Sequence, residues 1–294
     1  MITPNLFCPD PKFESQIVGV LNTHLFKNML SSLQGTATSI SCLHDIYEDM
    51  RQYCDCPDMD KKYMLDGQSV LPSFQKQRLM NNGYLYAGHD LPVWINTPNT
   101  CIVEKANCKI MIVGRDPGRK PYDMYEMTPS CDQLTIYSPF GLHCCYHRRK
   151  TQVIPSLVNR MLKCANECGE TLSIYITDFY KFKKTDVLTI DTCNKLTYHT
   201  ILMEEIKTFN PDCVILLGKQ VMRSVGIPSS ALYFNIFPKN GINYLPIPHP
   251  SQKNSNEIQK VKDSCNGRKM GTIEFLAKEV INILKKECCK KITK

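Results

Sequence analysis

The apolar, β-branched run Ile110-Met111-Ile112-Val113 breaks into Gly114-Arg115-Asp116-Pro117-Gly118, and far downstream Tyr244-Leu245-Pro246-Ile247-Pro248 ends in His249-Pro250-Ser251. Each block reads as a buried strand that delivers one ionisable group to a tight turn. Further strands are predicted at Leu172 to Ile176, Cys213 to Leu217 and Leu232 to Phe237. Helices are predicted between them: from about Pro155 to Cys168, closed by Gly169, and from about Leu196 to Phe209, halted by Asn210-Pro211. A last helix carries Ile273, Leu276, Val280 and Leu284. Strands alternating with helices require an α/β fold, a mostly parallel sheet covered on both faces. In such sheets the ligand site lies at the strand ends, and here an acid stands at one end and a histidine at another.

Ahead of this pattern, Phe13, Ile17, Leu21, Leu25 and Met29 recur every fourth position and stop at Gly35, which predicts an amphipathic helix. From about 36 to 100 the signals weaken. Cys54-Asp55-Cys56-Pro57-Asp58 reads as a turn, and Leu91-Pro92-Val93-Trp94-Ile95 as an extended approach to the first core strand. The expected organisation is a mainly helical N-terminal extension, 1–100, packed on an α/β domain, 101–294, that ends in a basic tail.

With 294 residues, 43% of them hydrophobic, the chain can fill a sizeable core. Its net charge of +8 is densest at His147-Arg148-Arg149-Lys150, Lys181-Phe182-Lys183-Lys184 and the tail from Lys285 to Lys294. That distribution fits a polyanionic partner and fits solvated lysine faces equally well. Nothing approaches the roughly 20 apolar residues that span a bilayer, and Met1-Ile2-Thr3-Pro4-Asn5 does not open a basic-then-apolar leader. An intracellular protein is expected, cytoplasmic or, in a eukaryote, nuclear, without a membrane partner. The 16 cysteines, with spacings such as Cys54-x-Cys56, Cys144-Cys145 and Cys288-Cys289, match neither a zinc knuckle nor a secreted framework, so most are expected to be reduced.

Four strand ends carry candidate chemistry. In Gly114 to Gly118 the glycines permit a sharp turn close to a ligand and Pro117 stiffens the backbone beside Asp116; read alone, Asp116 is equally a helix cap. Ser138-Pro139-Phe140-Gly141 offers a ring to a flat ligand, although a loop aromatic is more often core. The strand through Ile176 ends at Thr177-Asp178, and the aromatics and lysines beyond it, Phe179 to Lys184, suit stacking and phosphate contact or a solvated loop. Finally, prolines on both sides of His249 hold its ring in a defined direction, with Ser251, Gln252, Lys253 and Asn254 following.

In this order the four segments resemble the uracil-DNA glycosylase superfamily. Its water-activating loop, G-Q-D-P-Y or G-I-N-P-G, is matched by Gly114-Arg115-Asp116-Pro117-Gly118, its P-F-G stacking segment by Pro139-Phe140-Gly141 and its base-reading strand end by Asp178. A Leu-Leu-Gly-Lys strand end is matched by Leu216-Leu217-Gly218-Lys219 and the closing H-P-S loop by His249-Pro250-Ser251. The resemblance spans roughly residues 100 to 285. It implies a three-layer α/β/α sandwich with a short, mostly parallel sheet, acting as a monomer on a nucleotide flipped out of DNA. Asp116 then orients water and stabilises the sugar cation, while His249 donates to the departing base. Phe140 stacks on that base, and Arg115, Lys181, Lys183, Ser251 and Lys253 grip backbone phosphates.

Two departures from the uracil-reading pattern bear on the substrate. Asp178 stands where an asparagine is common, and an ionised aspartate only accepts, which favours the N4 amino group of a cytosine-type edge. Gly118 stands where uracil-specific members crowd C5 with a tyrosine, and leaves that side open. Together they point to a cytosine with a bulky C5 substituent, hydroxymethylated or glucosylated, as in bacteriophage DNA, and hence to antiviral defence. A cluster-bearing branch of the superfamily uses four cysteines; here there is no CxxC and Phe182 falls near a third ligand position, although Cys193 lies near the fourth, so no iron–sulphur cluster or other cofactor and no metal is expected. A repair glycosylase for uracil or another deaminated base and a catalytically silent DNA-binding module remain as alternatives. A nucleotide-binding protein is disfavoured, because the glycine turn lacks the GxGxxG or GxxxxGK spacing.

Overall fold

The apolar runs pair as strands in the computed structural model, which describes residues 5–6, 10–24, 44, 47, 89–97, 102–115, 136–137, 153–181, 195–228, 230, 232–249, 255–264 and 271–288. The four central strands are β4 (Cys108–Gly114), β6 (Leu172–Asp178), β7 (Cys213–Leu217) and β9 (Ile242–Ile247), and the last two residues of each are hydrophobic or small except at β6. They run parallel in the order β6-β4-β7-β9. Antiparallel strands extend both edges: β3 (Val93–Asn96) and then β1 (Asn5–Leu6) beside β6, and β8 (Phe237–Lys239) beside β9, giving a mixed sheet of seven strands among the described residues. The short β2 (His89–Asp90) and β5 (Ile136–Tyr137) pair separately.

Burial along β6 is continuous, as a strand covered on both faces requires. Its alternate side chains meet different layers. Tyr175 and Thr177 hydrogen-bond to Glu205 on α3 (Lys195–Phe209), whereas Leu172 lies with Met161 and Cys164 of α2 (Val153–Glu167) and Ile281 of α6 (Thr272–Ile283). The fold is therefore the expected α/β/α arrangement. Gly169, at φ 70°, ends the turn after α2, and Asn210, at φ 50°, follows α3, so both predicted stops fall within a residue or two of the observed ends.

Among the described residues of the first hundred are a helix and the edge strands β1 and β3 of the same sheet. α1 (Pro11–Val20) starts with Asp10 as its cap, whose carboxylate accepts from Phe13 N–H at 3.1 Å and from Val103 N–H at 2.8 Å. One buried acid thus both starts the helix and ties it to the turn before β4. Phe13, Ile17 and Leu21 are buried as their spacing predicts, while Leu25, Met29, Gly35 and the turn at 54–58 lie outside the described residues. The stretch read as an extended approach is strand β3, and its Trp94 packs edge-on against Phe13, with ring centroids 5.2 Å apart.

One predicted strand is not formed. Leu232 to Ile236 is irregular and only Phe237 joins β8. Phe234 takes φ 63°, which reverses the chain so that its N–H donates to Pro246 O at 2.9 Å and its ring packs on Phe275, leaving Leu232 72% exposed. The other elements are α4 (Lys219–Ser224) and α5 (Ser255–Ser264). Among the described cysteines Cys164, Cys168 and Cys213 keep their thiols, and Cys108 is disulfide-bonded, an exception to the reduced thiols expected. No described helix is long and apolar enough to cross a membrane.

Phe13 also faces Tyr175 and Phe209, at 6.1 and 5.8 Å between ring centroids, so it joins α1 to both the sheet and α3. Phe13→Ala is expected to lower unfolding free energy by about 3–5 kcal/mol, read as a lower urea midpoint with unchanged slope.

Candidate active site

The order β6-β4-β7-β9 contains a switch point, since the chain leaves β4 for β6 on one side and later returns to β7 on the other. In open α/β sheets the ligand crevice lies outside the carboxyl ends of the strands at such a point. Those ends are level: Gly114 pairs with Asp178, Val113 with Leu216, and Leu217 with Ile247. The pairing continues past the strands, where Phe179 N–H donates to Gly114 O at 2.9 Å and Tyr180 N–H to Arg115 O at 2.8 Å. Gly114 and Arg115 at the end of β4 and Phe179 and Tyr180 just past β6 are thus one hydrogen-bonded unit.

Asp178, 3% exposed, ends β6 at this edge, and Arg115, the first residue after β4, is exposed there. A buried carboxylate at such a strand end is an acceptor for a ligand N–H. Across the switch point, His249 follows β9 by two residues and is partly exposed. Its backbone rests against Gly218, the residue after β7, where an added Cβ would stand 3.1 Å from His249 Cβ and 3.6 Å from its N. Gly218 has φ 88° and ψ 163°, a conformation open essentially to glycine alone, and its N–H donates to Ile247 O at 2.8 Å. The Leu-Leu-Gly-Lys strand end therefore serves as the seat of the histidine. Its glycine is required twice, by its own backbone and by its neighbour's.

Lys181 is a correction. Expected to grip phosphate, it is fully buried, with Nζ 2.7 and 2.6 Å from the two carboxylate oxygens of Glu205. Thr177 Oγ1 accepts from the same ammonium and donates to Glu205 at 3.1 Å, and Tyr175 O–H donates to Glu205 at 3.1 Å. An ammonium needs acceptors when it leaves water, and the lysine turns inward because three surround it. Burial, and after it the Glu205 charge, hold the Tyr175 phenol well above its ordinary pKa, so it stays a donor. Glu205 was not singled out from the sequence. The available signal was its place on the stripe Tyr198, Ile201, Leu202, Ile206 and Phe209, all of them buried.

Asp116, Gly118, Phe140, Lys183, Ser251 and Lys253 lie outside the described residues, as do Phe182 and Cys193. Of the expected site residues, the described part brings Arg115 and Asp178 into one hydrogen-bonded unit and sets His249 on the same sheet edge.

The model of the uracil-DNA glycosylase superfamily matches residues 102–267, from the turn before β4 to the segment after α5. The chain belongs to the uracil-DNA glycosylase superfamily. No curated protein matches it. Members of the superfamily are in general hydrolases that act as DNA glycosylases, with DNA as their substrate. The superfamily match leaves out α1, β3 and α6, although all three pack on the matched core.

Gly218→Ala is expected to cost about 1–3 kcal/mol of stability. Urea unfolding checks this, and a cost under half of the lower figure would show that Gly218 does not carry the backbone constraint described.

Proposed function

We propose that this chain is a monofunctional DNA glycosylase that hydrolyses the N-glycosidic bond of a flipped-out, C5-substituted cytosine, hydroxymethylated or glucosylated, and leaves an abasic site. The observation that carries the reading is Asp178, buried at the end of β6 and in register with Gly114 of the water-activating loop. An ionised aspartate accepts from the N4 amino group of cytosine and offers nothing to the O4 of uracil.

In the reaction the C1′–N1 bond breaks, its electron pair departs with the base, and water adds at C1′. Positive charge grows on the sugar and negative charge on the base. Asp116 orients the water and stabilises the sugar cation. His249, seated on Gly218, donates to O2 of the leaving base. Phe140 stacks on the ring and Gly118 leaves room at C5. Arg115, exposed at this sheet edge, acts with Lys183, Ser251 and Lys253 on the DNA backbone. The enzyme works as a monomer, within the cell, without a metal or cluster. Restriction to modified cytosine spares the host genome and suits defence against phage with substituted DNA.

Base release by mass spectrometry tests the reading, on matched duplexes containing uracil, cytosine, hydroxymethylcytosine or glucosylated hydroxymethylcytosine. Release is expected from the modified cytosines alone, with Asp116→Asn and His249→Ala each slowing it by about 10²–10³. Release of uracil would make this a repair glycosylase, and DNA binding without any release would make it a silent module.

A further inference from the structure

The buried pair Lys181–Glu205 is charged, costly to desolvate and absent from the chemistry just described. Ion pairs of this kind are weak stabilisers, because well-packed apolar residues of similar volume often serve as well. Their position is more informative. Thr177 and Lys181 flank Asp178, Phe179 and Tyr180, and both side chains meet the same Glu205 carboxylate, so the arc 177–181 closes on α3. From the opposite side, Phe179 and Tyr180 N–H hold the same arc to Gly114 and Arg115. Asp178 sits within this arc, gripped by side chains from one element and by main chain from another.

We propose that Lys181 and Glu205 are positioning residues, which hold the base-reading Asp178 in register with the water-activating turn. The inference rests on the reading of Asp178 as the group that meets the base. Neither residue touches substrate. Their effect is geometric: displacement of a recognition group by about 1 Å is enough to cost roughly 10²-fold in rate. Tyr175 supports the arrangement as a further donor to the carboxylate, which fixes the orientation in which Glu205 receives the lysine.

The test replaces both partners, Lys181→Met with Glu205→Leu, so that no lone charge is buried. Melting is expected to fall, because the Tyr175 and Thr177 hydroxyls lose their acceptor, while the protein stays folded and exchange of the Phe179 and Tyr180 amide hydrogens accelerates roughly tenfold or more beyond that of the other β6 amides. In base release, kcat should fall by about tenfold or more while KM for the DNA changes less than about threefold. In an Asp178→Ala background the same double replacement should cost little further, because the pair acts through Asp178. Wild-type protection of the two amides would overturn the proposal, and so would unchanged kcat or losses that simply add to those of Asp178→Ala. Hydrogen exchange needs no substrate: if the wild type releases no base, the functional reading fails while the amides still decide whether the pair positions the arc. Should the double variant not fold, Lys181→Met with Glu205→Gln, which buries no charge and keeps an acceptor oxygen for the Tyr175 and Thr177 hydroxyls, carries the same readouts.

Discussion

The hydrogen bonds that run past the end of the sheet, from Phe179 to Gly114 and from Tyr180 to Arg115, are the constraint on which the geometry of the site depends. Within a sheet, parallel strands are held by evenly spaced bonds, and their ends are free to diverge into loops. Here Phe179 and Tyr180 beyond β6 stay bonded to Gly114 and Arg115 at the end of β4, so the first residues past the two strands are held together. Each turn carries a residue assigned to recognition or chemistry. The placement of Gly114 and Arg115 against Phe179 and Tyr180 is set by main-chain bonds, which do not depend on which side chains these residues carry.

Two further devices act at the same edge. At β7 the absence of a side chain lets the backbone of His249 settle on Gly218, so one strand end positions an ionisable group that comes from β9. Behind β6 the fully buried Lys181–Glu205 pair closes the arc around Asp178. In both cases the group that sets the geometry differs from the group that would meet a ligand. Rigid support beneath reactive side chains is what confines them to productive geometry.

The alternation of apolar runs with helical spacing was enough to identify the four parallel strands and α2, α3 and α6, because buried strands and amphipathic helices leave distinct periods. Local pattern failed where a distant contact decided the outcome. Leu232 to Phe237 has the composition of a strand, yet Phe234 reverses the chain to bond Pro246 and pack on Phe275, both remote in sequence. Leu91 to Ile95 reads only as an extended approach, and it is β6 beside it that makes a strand of Val93 to Asn96. Lys181 was misassigned for the same reason: lysines in a row read as solvated, and the acid that draws one inward lies 24 residues away on another element. The order of the motifs fixed the family, whose model covers residues 102–267, and the role of Gly218 emerged only with the backbone of His249 against it.

Selectivity of Asp178→Asn is the most direct test of the account, measured as the ratio of uracil release to release of hydroxymethylcytosine from matched duplexes. An amide both donates and accepts, so it can serve the O4 and N3–H of uracil, whereas the carboxylate only accepts. The account predicts that the substitution raises this ratio by at least about tenfold, the equivalent of one good hydrogen-bond discrimination. A ratio unchanged from that of the wild type, in a protein that still folds and still releases base, would contradict the assignment of Asp178 to the base.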